Sequence, residues 1–256
     1  MFKVIICILA GLGAGLGTGF AGMSAAAVIS PMLIVFLDMD PYLSVGIALA
    51  SDVLASAVSA ITYGKNRNLD LRNGLYMMAA VLVFTLAGSY VASLVPGTAL
   101  GGASTFMTML LGIKFIVRPD VAPKQRLINA TKKQKAIRSV AFGALVGLIC
   151  GFVGAGGGMM MLLVLTTILG YELKTAVGTS VFIMTFMALT GAVSHFAIGG
   201  APDWTVFILC VLFTLLWARI AAVFANKADA KTLNRATGVV LVILGIVVMG
   251  FKFFVQ

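Results

Sequence analysis

Few side chains within the apolar stretches of this chain can do chemistry. Asp52 is the one acid inside such a stretch, near the middle of residues 42–63, with Ser51 and Ser56 close by. A charge in apolar surroundings is expensive, so an acid there is a functional candidate by default. It could take up and release a proton, or be held by the neighbouring hydroxyls in a structural role. His195 is the only histidine and lies one turn after Gly191, near the end of another apolar stretch. Interfacial hydrogen bonding is the plainer reading for it than a proton relay. Cys7, Cys150 and Cys210 have neither metal-ligand spacing nor loop positions suited to disulfides, which reads as structural thiols. No metal cluster of His, Asp or Glu, no nucleophile constellation and no dinucleotide-binding unit supports an enzyme. No cofactor and no metal is expected.

The remaining chemistry belongs to the backbone. Residues 147–161 read GLICGFVGAGGGMMM. Consecutive glycines inside a helix cost about 1 kcal/mol each relative to alanine, so a helix is expected to break here. Residues 15–29 read GLGTGFAGMSAAAVI, and a shift of 132 positions aligns the two stretches without a gap. Gly11, Gly15, Gly19, Phe20 and Gly22 fall on Gly143, Gly147, Gly151, Phe152 and Gly154, and Val45-Gly46 falls on Val177-Gly178. The chain reads as an internal duplication. A signal peptide is conceivable at the N-terminus, but its removal would destroy one half of the repeat.

Composition says which solvent surrounds these elements. The chain has 256 residues, 61% hydrophobic and only 10% charged. Soluble domains are nearer one-quarter charged, so this is a polytopic membrane protein. The net charge of +10 is therefore read as basic loops at a membrane rather than as nucleic-acid binding. Apolar segments cover residues 4–20, 23–37, 42–63, 74–95 and 98–117, then 140–152, 158–169, 173–198, 204–224 and 236–255. The units expected are repeat 1 at 1–117, a basic connection at 118–138 and repeat 2 at 139–256.

Lys and Arg cluster in the connection, after Tyr63 and after Phe224, which places these loops in the cytoplasm. Asp38, Asp40 and Asp203 fall on the other side, and both termini face outward. The loop after Tyr63 is then inside, whereas its counterpart before Asp203 is outside. The fold expected is an all-α polytopic membrane protein of two inverted repeats, each a glycine-rich broken or re-entrant helix pair plus about three spanning helices. Neither glycine stretch holds a charge or a proline, which favours breaks at the membrane midplane, with their tips meeting near the centre.

A helix restarting within the membrane points free N–H groups and the positive end of its dipole into a cavity. Glycine lets the backbone approach a ligand closely. Gly22, Met23 and Ser24 in the first half, and Gly154, Ala155, Gly156 and Gly157 in the second, are thus candidates to bind a small anion without a buried arginine. Thr179 and Ser180 are candidate cavity-lining hydroxyls, and Asp52 and His195 are the coupling candidates. The plainer alternative is that the glycines serve tight helix packing.

The duplicated GFxG break, the repeated VG and the GTSV at residues 178–181 resemble the TauE/SafE sulfite exporter family over nearly the whole chain. The resemblance implies a secondary carrier of small sulfur-containing anions, such as sulfite or organosulfonates, in the inner membrane. The first half departs from the richer glycine pattern, with Met23-Ser24-Ala25-Ala26 opposite Ala155-Gly156-Gly157-Gly158 and Ile47-Ala48 opposite Thr179-Ser180. The two half-sites are therefore not expected to be equivalent. Rival readings are a carrier or channel for carboxylates and a non-transporting membrane subunit. The partners expected are the anion and the lipid bilayer, with no nucleic acid; a homodimer is compatible with this reading.

Overall fold

The computed structural model describes residues 2–92, 113, 116–117, 132–153, 158, 161–162 and 164–229, with further helical positions at 231–232, 235–236, 238–239, 242–243, 246 and 250. Regular structure among them is entirely helical. In chain order the helices are α1 (Phe2–Ala21), α2 (Ala26–Leu37), α3 (Pro41–Lys65), α4 (Leu71–Ala92), α5 (Lys132–Val153), α6 (Leu173–Gly199) and α7 (Trp204–Lys227), with a short π-helical turn at Val164–Ile168. Among the described residues, four stretches are long and apolar enough to cross a membrane: Phe2–Ala21, Leu43–Lys65, Leu173–Ala197 and Trp204–Lys227.

Two helix starts differ from the expected segments. α1 begins at Phe2 because Lys3 does not end the apolar run; its ammonium pairs with Asp203 Oδ2 at 3.3 Å. α5 begins at Lys132, inside the stretch expected to be connection, since Lys, Gln, Ala and Arg are all good helix formers. Most of the fifth segment, most of the connection and the glycines at 154–157 lie outside the described residues.

The helices pair across the halves. The face of α1 carrying Gly11, Gly15 and Gly19 lies directly on α7. A Cβ at Gly15 would lie 2.7 Å from both the Thr214 carbonyl oxygen and the Trp217 Cβ, and one at Gly19 2.5 Å from the Ala221 Cβ. The equivalent glycines of the second half pack on α4: a Cβ at Gly143 would lie 2.8 Å from the Met77 carbonyl oxygen, and one at Gly147 2.5 Å from that of Val81. These glycines are the small residues that let apolar helices touch backbone to backbone.

The order of contacts fixes direction. Along α1 and α7, Lys3 meets Asp203, Gly11 meets Phe213 and Gly19 meets Ala221, so the two run parallel. α4 and α5 are parallel in the same way. α3 and α6 are antiparallel, with Gly46 against His195 and Phe196, Gly191 against Leu49, and Gly178 against Tyr63. Short connections then set α4 against α3 and α7 against α6. Hence α1, α3 and α7 run one way, and α4, α5 and α6 the other. Adding 132 to α3 gives residues 173–197, within α6, and adding it to α1 gives 134–153, within α5. Each sequence-equivalent pair thus points in opposite directions.

The outward faces are apolar. Trp204, Ile208, Leu212, Leu216, Ile220 and Phe224 form an exposed stripe along α7 at steps of four. A stripe like this suits lipid rather than water. The interior is built mostly of small and aliphatic residues, with Asp52 as the buried acid.

Candidate functional site

α1 and α2 are separated by four residues, 22–25, at which the helix breaks. Gly22 takes φ +60°, in the left-handed region open to glycine. Its N–H donates to the Thr18 carbonyl at 2.9 Å, and that of Met23 reaches back to the Gly17 carbonyl at 3.2 Å. The Thr18 hydroxyl donates to the Met23 carbonyl at 2.9 Å and closes the turn from the other side. The chain thus folds back along α1 before restarting. At the restart the Ser24 hydroxyl oxygen accepts from Ala26 N–H at 3.3 Å, while Ala27, Val28 and Ile29 N–H bond to the Ser24 and Ala25 carbonyls.

Asp52 lies at this restart. Its side chain is 1% exposed. Ser56, one turn on, donates to Asp52 Oδ1 at 2.8 Å. The Ser24 hydroxyl and the Ala25 backbone N–H, at the start of α2, face the same carboxylate. The polar face of α3 continues through Ser59 to Tyr63, whose buried hydroxyl donates to the Gly19 carbonyl at 2.8 Å. Positions 52, 56, 59 and 63 fall on one narrow helical face. Ser59 Oγ is buried with no hydrogen-bond partner among the described residues.

Gly158 meets the break from the second half. It is buried, and a Cβ there would lie 2.5 Å from both the Gly22 carbonyl oxygen and the Met184 Sδ. Met184 is the position equivalent to Asp52, so a carboxylate faces the first break where a thioether lies against Gly158. Ser180 also reaches the first break: its hydroxyl is the nearest neighbour of the space beside Gly22 and donates to the Val177 carbonyl at 2.9 Å. Gly22, Ser24 and Ser180 are thus brought together with Asp52 and Gly158, and Met23 is buried beside them. Gly154, Ala155, Gly156 and Gly157 lie outside the described residues.

Thr179 serves a different contact. Its hydroxyl oxygen accepts from Asp70 N–H at 3.2 Å. Asp70 Oδ2 in turn accepts from the Tyr171 hydroxyl at 2.7 Å and from Asn73 Nδ2 at 2.6 Å. Burial, reinforced by the Asp70 carboxylate, pushes the Tyr171 phenol above its usual range and keeps it a donor. Close by, Asn68 Nδ2 donates to Asn226 Oδ1 at 2.6 Å, and Lys174 Nζ to the Asn226 carbonyl at 3.0 Å. Gly178 lets α6 close on the Asn68 carbonyl. The loop between α3 and α4 is therefore latched to the second half. His195 is half-buried at the other end of α6, with Nδ1 2.9 Å from the Gly191 carbonyl oxygen. It is level with Gly46 rather than with Asp52, about 9 Å further along α3.

Two contributors were not singled out from the sequence, Ser59 and Tyr63. Their signal was the 52/56/59/63 spacing. Tyr63 also marked the end of an apolar run, which hid its role.

The family profile described as Sulfite exporter TauE/SafE matches residues 7–248. The chain is 23% identical over 261 residues to the probable membrane transporter protein YunE of Bacillus subtilis (strain 168), covering 94% of this chain and 95% of that one. It is 21% identical over 235 residues to the probable membrane transporter protein YdhB of the same organism, covering 92% and 96%. Against the probable membrane transporter protein ORF9 of Sinorhizobium sp it is 23% identical over 233 residues, covering 91% and 87%.

Proposed function

The chain belongs to the sulfite exporter TauE/SafE family, and from that membership we propose that it is a secondary carrier of small sulfur-containing anions, sulfite or organosulfonates, working by alternating access in the inner membrane. The observation that carries this reading is the meeting of Gly158 with the break at Gly22 beside a restarting helix. Free N–H groups and the positive end of a helix dipole there suit a small oxyanion. Exchanged packing and opposed directions of the equivalent helices support an inverted repeat, the plan on which many carriers rock about a central site. In this arrangement the latched loop after α3 is cytoplasmic and the Asp203 end of α7 is outside. A potential negative inside favours export of an uncompensated anion, by about 2.3 kcal/mol per charge per 100 mV.

The test is a thermal-shift screen of purified protein with sulfite, thiosulfate, sulfoacetate, sulfate and lactate. Stabilisation by a sulfur oxyanion and not by lactate is expected. Gly156→Leu should abolish that stabilisation by filling the space the anion needs. Stabilisation by lactate alone would favour a carboxylate carrier, and an unchanged response in Gly156→Leu would move the site away from the second break.

A further inference from the structure

We propose that the ionised Asp52 carboxylate and the transported anion exclude one another at the start of α2, so that the anion occupies this half-site only when Asp52 is neutral. The inference rests on the carrier reading above and names how its site is regulated.

Every buried N–H needs a partner. At the break, the N–H groups of Gly22 and Met23 are bonded back to α1, and those of Ala26 to Ile29 are bonded within residues 24–25. The N–H groups of Ser24 and Ala25 have no backbone partner among the described residues, which leaves them as donors for a ligand. Asp52 faces the second of these, together with the Ser24 hydroxyl. The protein therefore already holds a tethered anion where an incoming anion would bind. The Ser59 hydroxyl, two turns further along the same face of α3, is buried with no partner among the described residues.

No charged group offsets a second anion here. On α3, Tyr63 is engaged with Gly19. Lys3 of α1 pairs with Asp203, and α2 carries no titratable side chain. On α6, Lys174 is tied to the end of α7 and His195 bonds at the far end. On α7, Arg219 is exposed, Cys210 lies against Cys7 of α1 and Lys227 closes the helix. With no cation facing Asp52 among the described residues, two anions sharing one pair of N–H groups would repel at short range. Protonation removes the competitor and gives the carboxyl an O–H to donate.

The consequence is that proton and anion bind together. A monovalent sulfonate then moves with a proton and without net charge, so its own gradient and the pH gradient, not the membrane potential, set its direction.

The experiment is calorimetric titration of the purified full-length chain with methanesulfonate, thiosulfate and sulfate, whose charges are constant between about pH 5.5 and about pH 8. Parent affinity is expected to fall towards about tenfold per pH unit at the alkaline end, because only the neutral-Asp52 fraction binds. Asp52→Asn, neutral at every pH, should bind at least as tightly as the acid-form parent and show no slope. Repeating the parent titration in buffers of different ionisation heat should show about one proton taken up per anion. This count needs no variant and stands if Asp52→Asn does not fold. Binding that is pH-independent in the parent, or accompanied by no proton uptake, overturns the exclusion and leaves the carrier reading intact. Absence of binding by all three anions at every pH overturns both.

Discussion

At the residue scale, polar groups here are scarce, and three of the buried ones are tied to the gap between α1 and α2. Asp52 faces the start of α2, Thr18 closes the turn before it, and Tyr63 takes the Gly19 carbonyl. Asp203 does the same at the surface. Its Oδ1 accepts from Thr205 and Val206 N–H at 3.0 and 3.2 Å, capping α7. The Val206 N–H, with Lys3 assisting, holds its carboxyl below the usual carboxylate range. A carboxyl with a lowered folded-state pKa contributes stability above its unfolded value and loses it as pH falls through the folded one. Asp203→Ala should therefore lower unfolding stability in detergent by about 1 kcal/mol at neutral pH. The gap from the parent should close only on acidification below about pH 4. A gap that is constant down to lower pH would mean that the charge contributes nothing.

At the element scale, the glycines divide into two kinds, and the sequence did not separate them. Gly11, Gly15, Gly19, Gly143 and Gly147 bring helix backbones together, whereas Gly22 turns the chain. All were visible as one duplicated pattern. What each touches depends on partners some two hundred or sixty positions away, which no local spacing reveals. The apolar runs and the break at Gly22 were legible because periodicity and glycine cost are local. The starts of α1 and α5 were not, since Lys3 is held by Asp203 and the basic residues from Lys132 onward continue into α5 as helix. Gly15→Leu should prevent α1 from seating on α7 and cause loss of folded protein after detergent extraction. Gly250→Leu, with nothing within 4 Å, should be recovered like the parent. Equal recovery of the two variants would show that the α1–α7 contact is not needed.

At the scale of the whole molecule, neither half is complete alone: α1 packs on α7, and α5 on α4. Such an exchange ties the N-terminal and C-terminal helices together around the central α3–α6 crossing. Asp52 and Ser180 sit on that crossing, on either side of the break. Of the two glycine stretches expected to form the site, the structure describes the first break and Gly158. The polar asymmetry there, Asp52 facing the first break and Met184 lying against Gly158, follows only from tertiary packing. The orientation has a direct check. Cysteines at Asn66 and at Ala201, in a background lacking the native thiols, should react with impermeant reagent from opposite faces of the membrane. Reaction of both from one face would remove the two-sided arrangement.

The most direct measurement of the carrier claim is flux. Purified protein alone, reconstituted in liposomes preloaded with sulfite or a small sulfonate, should exchange labelled anion across the bilayer at a rate that saturates with concentration. Gly156→Leu, inserted equally well, should not. Saturable flux in the parent and its loss in the variant are the predicted result. Liposomes that hold the correctly folded protein and move none of these anions faster than protein-free vesicles would contradict the account.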